Sequence, residues 1–327
     1  MPKISILTPF KNAEKYIRAT AESILAQTEC DWEWILVNDH SSENEAEVLN
    51  EFLSDKRIRV FTNKGNGIID ALNVAFEQTT GRYCTRMDAD DVMPENKLKL
   101  FSSYLNSSNP ETIVTGKVHY FSEEYEVSEA FRKYESWLNK QVDNNDFYSE
   151  IYKECTLASG NWMMHTETLQ AIGGFKSLNY PEDYYLLFRW YENKLKVVGL
   201  NEITHLWREH SERTSRTHTD YAQESFFQLK VNRLIDLDWN NETIILNGTG
   251  QKGRITAKIF IDKSVPFRWF SHEAQKFPNG IYGIKIESPT NFKSEEKILF
   301  LNSTLISEEK LVVLYGFDEM KVEMIEL

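Results

Sequence analysis

The stretch RYCTRMDADDVMPE, Arg82 to Glu95, runs from a short apolar segment into three aspartates within four positions, then a proline. Ionised carboxylates that close repel one another. Either a cation offsets them, or they cap a solvated turn. RYCTRM itself reads as a strand, the fourth along the chain. KISILTPF (3–10) is the first, WEWILVND (32–39) the second and IRVFTN (58–63) the third, each rich in β-branched and apolar residues. Ala13–Gln27 has helical spacing through Ile17, Ala21, Ile24 and Leu25. HSSENEAEVLNEFL (40–53) opens on capping residues and continues as a helix. IIDALNVAFEQTTG (68–81) is a third helix, closed by Gly81 at a C-cap position. This βαβαβαβ order predicts an α/β fold, a doubly wound, mostly parallel sheet with helices on both faces.

Ligands of such sheets gather beyond the carboxyl ends of the strands. Here those ends are Thr8-Pro9-Phe10, Asn38-Asp39, the loop Asn63 to Gly67, and Asp88 to Asp91. All four are polar or turn-forming, so together they mark one rim. If strand geometry persists past Met87, Asp88 and Asp90 face one way and Asp91 the other, where it caps the turn. Two same-side carboxylates suit a hard divalent cation, Mg2+ or Mn2+, with positions left for phosphate oxygens. Alone, the pattern also fits an Asx-type turn. An EF-hand is excluded, because Met93 stands where that loop needs glycine.

Two later segments carry candidate chemistry. In YPEDYYLLFRW (180–190), Pro181 suits a first helical position, with Glu182 and Asp183 in the first turn. The acids either complement the helix dipole or present a general base. In LWREHSERTSR (206–216), His210 is a candidate metal ligand. Arg208, Arg213 and Arg216 either face phosphate or form a solvated surface.

The net charge of −13 argues against nucleic acid or an anionic membrane as the main partner. Three widely spaced cysteines fit a reducing compartment. The start lacks a signal-peptide h-region, and no run approaches the roughly 20 apolar residues of a membrane span. A cytoplasmic protein is expected, with peripheral membrane contact left open.

Composition shifts between Asp236 and Glu242. Two domains are expected, at 1–235 and 240–327. The second begins with strand, Gly-rich turn and helix, and continues through PFRWF, GIYGIKI, KILFLN, KLVVLYG and KVEMIEL as short strands. Its NGTGQKG holds a literal G-x-G-x-x-G at Gly248, Gly250 and Gly253. A dinucleotide site also needs an acid about 20 positions on, and Glu273 falls late. The module is therefore expected to serve packing, homodimer formation or docking rather than to bind NAD.

Together ISILTPFKNAEKYIRATAESILAQT, WEWILVNDHSS, NKGNGIIDALNVAF, TTGRYCTRMDADD, IGGF, EDYYLLFR and WREHSERTSR resemble glycosyltransferase family 2 over about residues 3–220. These are inverting nucleotide-sugar transferases with the GT-A fold. The last 90 or so residues resemble the small Rossmann-like module appended to some members. The resemblance implies a metal-dependent enzyme, using Mn2+ or Mg2+. It would move a sugar from a nucleotide-sugar, a UDP-sugar first of all, to a saccharide or lipid-linked acceptor in cell-surface polysaccharide or lipopolysaccharide assembly. By position, Thr8, Pro9 and Phe10 would line the base pocket, and Asp39 would hold uracil or ribose. Lys64, Asn66 and Gly67 would lie near the nucleotide. Asp88 would take the ribose–sugar side, Ala89 would lie beside it, and Asp90 would bind the metal. His210 would complete the metal or diphosphate site, and Asp183 would be the catalytic base.

Three departures bear on this. His40 stands where glycine is usual, Leu72 where arginine is frequent, and Ser159-Gly160-Asn161-Trp162 where many members carry a His-Pro element. A haloacid-dehalogenase-like phosphohydrolase is the competing enzyme class, since Asp88 to Val92 fits DxDxV. Cys84-Thr-Arg-Met makes a poor apolar strand for it. A non-catalytic nucleotide-sugar scaffold is the third reading, and the intact acidic sites and histidine oppose it.

Overall fold

β1 (Ile4–Phe10) is buried at every position, as a strand with neighbours on both edges and helices on both faces must be. The computed structural model describes residues 3–41, 48–176, 179–213, 223–289, 297–315 and 322–327. β1 pairs in parallel with β2 (Trp32–Asn38) and β4 (Tyr83–Arg86), and β2 pairs in parallel with β3 (Ile58–Thr62). β5 (Thr112–Phe121), β6 (Trp162–His165) and β7 (Lys196–Arg208) extend the sheet to the order β3-β2-β1-β4-β6-β5-β7. β6 runs antiparallel to both its neighbours, and β5 pairs in parallel with β7. The sheet is therefore mostly parallel, and its first four strands are those expected.

α1 (Ile17–Leu25) and α3 (Lys97–Asn106) cover one face. Their Ile17, Ala21, Ile24, Leu98, Phe101 and Leu105 pack with Ile4, Ile6, Trp34 and Leu36. α2 (Ile68–Glu77) buries Ala71, Leu72 and Ala75. The helix expected from His40 falls partly on 42–47, outside the described residues. α2 ends at Gln78 with right-handed geometry, so Gly81 is not its C-cap. Gly81 is needed for another reason. A Cβ there would lie 2.7 Å from the Ser5 nitrogen and 2.8 Å from the Ile4 carbonyl carbon, both backbone. Gly81→Ala is expected to cost about 1–3 kcal/mol by overpacking. Thermal denaturation would read this as a melting point several degrees lower.

α4 (Glu129–Asn144), α5 (Thr166–Ala171) and α6 (Glu182–Glu192) complete the first unit, which comprises Met1–Tyr148 and Cys155–Thr217. Pro181 is the N-cap of α6, one position earlier than expected.

The second unit comprises Ser149–Glu154 and His218–Leu327. It includes α7 (Gln223–Leu237), which packs on α8 (Gln251–Asp262). The division therefore falls earlier than the expected boundary near 235. β8 (Thr243–Asn247), β9 (Phe267–Phe270), β10 (Ile286–Glu287), β11 (Ile298–Asn302) and β12 (Val322–Glu326) form a second sheet, all parallel, in the order β10-β9-β8-β11-β12. In its own strand numbering that is 3-2-1-4-5, a doubly wound order. Of KLVVLYG, the described residues 310–315 are not a strand. α9 (Glu308–Tyr315) replaces it, and its buried Leu311 and Tyr315 lie four apart on one helical face. Among the described residues no helix is long and apolar enough to cross a membrane.

Candidate active site

The rim is built from the strand ends outward. At the end of β1, the Phe10 carbonyl accepts from the Asp39 N–H at 2.8 Å, which locks the first two strand ends together. Thr8, Pro9 and Phe10 are all buried. The Thr8 hydroxyl accepts from Trp34 Nε1 at 2.8 Å, and Phe10 packs in the core, so these residues shape the floor of the rim.

Asp39 is buried and accepts from Asn63 Nδ2 at 2.6 Å and from the Gly67 N–H at 3.1 Å. Asn63 accepts from the Gly65 N–H and donates to the Gly67 carbonyl. The loop carrying Lys64, Asn66 and Gly67 is thus wrapped around Asp39, while Lys64 and Asn66 stay exposed. Gly67 has φ +86°, and a Cβ on it would meet the Tyr180 hydroxyl at 2.7 Å. That contact brings the loop against the segment that leads into Asp183. His40 has φ +60°, the left-handed region where glycine is favoured, and its Nε2 lies 2.8 Å from the Gly65 carbonyl oxygen. The side chain at this unusual position therefore braces the same loop.

Strand geometry does not persist into DADD. β4 ends at Arg86, and Ala89 and Asp90 lie in a turn. The three carboxylates separate. Asp88 accepts from Arg86 Nε at 2.6 Å and from the Ser159 hydroxyl at 2.8 Å. Burial disfavours its charge, but the Arg86 charge and these hydrogen bonds outweigh burial and hold the carboxyl below its ordinary pKa. Asp90 Oδ2 lies 2.9 Å from His210 Nε2. Asp91 turns inward, where it accepts from the Arg208 N–H at 2.8 Å and sits 2.9 Å from His205 Nε2. Burial, then the Asp90 and Asp88 charges, push the Asp91 carboxyl well up. Burial and the Lys97 charge push His205 well down.

β7 fastens this turn. An antiparallel bridge joins Val92 to Leu206 in both directions, and Arg208 Nε donates to the Asp90 carbonyl at 2.7 Å. The His210 ring lies against that of Tyr16, centroids 4.3 Å apart and planes tilted by 36°. Arg208 is buried, with NH1 on Glu123, and Arg213 donates to Glu209, so both arginines face protein rather than an open phosphate seat. Arg216 lies outside the described residues.

Asp183 is half-buried in the first turn of α6 and accepts from the Tyr184 N–H at 2.7 Å. Burial and the neighbouring Glu182 charge push its pKa up to about 7, against the opposing pull of Arg86. Arg86, Ser159, Glu182 and Asp183 line one pocket, whose apolar wall includes Leu72 and Trp162. Leu72 thus fills space beside the arginine that β4 supplies.

Sequence reasoning missed Arg86, Ser159, Lys97 and His205. Arg86 had a signal, a charge at the inner end of a buried strand. Lys97 had none, since it is fully buried and donates to the Gly160 carbonyl at 2.6 Å. Among the described residues no group of three or more His, Cys, Asp or Glu is arranged to hold a metal. Asp90 and His210 offer two donors side by side, and the buried His210 Nδ1 has no hydrogen-bond partner. A two-donor seat fits a cation whose other ligands are phosphate oxygens and water.

Comparison with known proteins bears on the fold and the family. A glucosyltransferase of Escherichia coli, UDP-Glc:alpha-D-GlcNAc-diphosphoundecaprenol beta-1,3-glucosyltransferase WfgD, is 37% identical over 107 residues. That covers 32% of this chain and 42% of WfgD, so the chain spans under half of that relative. Glycosyltransferase GlyG of Streptococcus pneumoniae is 27% identical over 231 residues, 67% of this chain and 75% of GlyG. The crystal structure of S. aureus TarS 1-349 in complex with UDP-GlcNAc shares the fold. It has a TM-score of 0.55 at 17% identity, covering 79% of this chain and 71% of TarS 1-349. The family model described as Glycosyl transferase family 2 matches residues 5–173, which include the first four strand ends and the aspartate turn. With just over half of its length matched, and the rim within that half, the chain belongs to glycosyl transferase family 2.

Proposed function

We propose that the chain is an inverting glycosyltransferase that moves a sugar from a UDP-sugar to a hydroxyl of a saccharide or lipid-linked saccharide. One observation carries this reading. Asp183, whose pKa is pushed up to about 7, shares a pocket with Arg86 and Ser159, the two residues that hold Asp88, while Asp90, two positions further along the same turn, pairs with His210. The donor reading draws on a relative named for UDP-Glc and a structural neighbour solved with UDP-GlcNAc. Sugar transfer in polysaccharide biosynthesis is in keeping with the family. A cytoplasmic location, with peripheral contact to a membrane that carries the acceptor, belongs to the same proposal.

In this reading Asp39 and the loop wrapped around it hold the nucleoside, and Asp88 faces the ribose–sugar side. Asp183 takes the proton of the acceptor hydroxyl as that oxygen attacks the anomeric carbon. The bond to the nucleoside diphosphate breaks on the opposite face, so the anomeric centre inverts. Mg2+ or Mn2+ held by Asp90 and His210 would offset the charge that develops on the departing diphosphate.

A donor screen tests the reading. UDP-, GDP- and dTDP-sugars are incubated with Mn2+ and nucleotide release is measured. Release of UDP from a UDP-sugar is expected. Turnover confined to GDP or dTDP donors would overturn the donor assignment. Phosphate release from a simple monoester, without any nucleotide release, would favour the phosphohydrolase.

A further inference from the structure

Arg86 closes β4, yet its side chain is only 6% exposed. A buried cation at a strand end is costly unless charged partners fix it. Here it has two, in different parts of the chain. Nε donates to Asp88 Oδ1 at 2.6 Å, and NH1 donates to Glu182 Oε1 at 2.8 Å. Asp88 belongs to the aspartate turn, and Glu182 opens α6 directly before Asp183. One planar guanidinium thus spans from the nucleotide side of the rim to the start of the helix that presents the base. Two divergent bonds of this kind suit the fork of arginine, and a lysine ammonium is a single point.

Resting on the reading of Asp183 as the base, we propose that Arg86 is a positioning residue that ties Asp88 to the first turn of α6 and so fixes Asp183 against the acceptor hydroxyl. The charges bearing on Asp183 are Glu182 on its own helix, Arg86 on β4 and Asp88 in the turn beyond it. Arg86 is the cation of that set. Without it, Asp183 would share the pocket with two carboxylates and become harder to ionise.

The test uses the full chain with Mn2+, a UDP-sugar and an acceptor active with the wild type, and follows kcat/KM from pH 5.5 to 9. Arg86→Gln is expected to move the acidic limb upward by about one pH unit. Arg86→Lys keeps the charge but loses the two-point bridge. Its limb is expected near that of the wild type, with kcat lower by about 10–100-fold from misplacement. Arg86→Gln with lower activity at every pH and an unmoved limb would show a packing role only and overturn the proposal. If Arg86→Gln does not fold, Arg86→Lys decides, and wild-type kcat in that variant overturns it. Asp183→Asn serves as the reference. Transfer that survives in it removes the base assignment itself, whereas its loss beside an unmoved Arg86→Gln limb removes only the role of Arg86.

Discussion

Replacing Asp183 with asparagine is expected to lower transfer about 10²–10⁴-fold, the usual worth of a positioned general base. UDP binding, followed by calorimetry, should change little, because the Asp39 carboxylate is held by Asn63 and Gly67 and not by Asp183. If transfer survives, another group is the base. The wild type should also show the base in its pH profile. Asp183 acts when ionised and its pKa is pushed up to about 7, so kcat/KM should rise as pH increases through that value. A flat profile between pH 6 and 8 would contradict the assignment. A second consequence follows from the same shift. Folding raises this pKa from 3.8, so Asp183 favours the folded state when protonated, and that contribution is lost as pH rises from 3.8 through about 7. The asparagine variant should therefore melt a few degrees above the wild type at pH 8, and by little at pH 4. An inactive protein that is more stable is the expected sign of a carboxylate kept for chemistry.

Asp90→Ala is the second large effect. It removes one of the two side-chain donors that meet at 2.9 Å and leaves His210 against Tyr16 without its carboxylate partner. Transfer in the presence of Mn2+ should fall about 10²–10³-fold, the scale of losing one electrostatic stabiliser of a developing anion. Binding gives a readout independent of turnover. UDP should bind the wild type more tightly with Mn2+ than without it, and Asp90→Ala should lose that difference. Undiminished activity, or a Mn2+ effect on UDP affinity that persists in the variant, would remove Asp90 from the metal seat.

Much of the fold was legible because parallel strands advertise themselves twice, once as continuous apolar runs and once as polar ends. The four runs from Ile4 to Arg86 became β1 to β4, and their ends converge around Asp39 and the aspartate turn. Two things were not legible, for different reasons. KLVVLYG is short and apolar, and such a run reads equally as strand or helix until its buried positions are known. The second concerns the aspartates, whose division of labour depends on partners far away in sequence. Asp88 is held by Ser159, Asp90 by His210, and Asp91 by His205 and Arg208. Period-two alternation assigned their faces on strand geometry, which stops at Arg86. His40 shows the converse. Its departure from the family pattern was plain in the sequence, but only its φ of +60° and its contact with Gly65 explain how a side chain is accommodated there.

The bridge between Val92 and Leu206 bears on when activity can begin. Ribosomes release residue 92 long before residue 206, and amino-terminal regions fold first during synthesis. Until the later strand emerges, the aspartate turn has no Arg208 to hold Asp91 and no His210 to meet Asp90. A nascent chain can assemble β1 to β4 and still lack the proposed diphosphate seat. Unfinished translation products should therefore be silent toward nucleotide-sugars, and competence should arrive only once almost the whole first unit has left the exit tunnel.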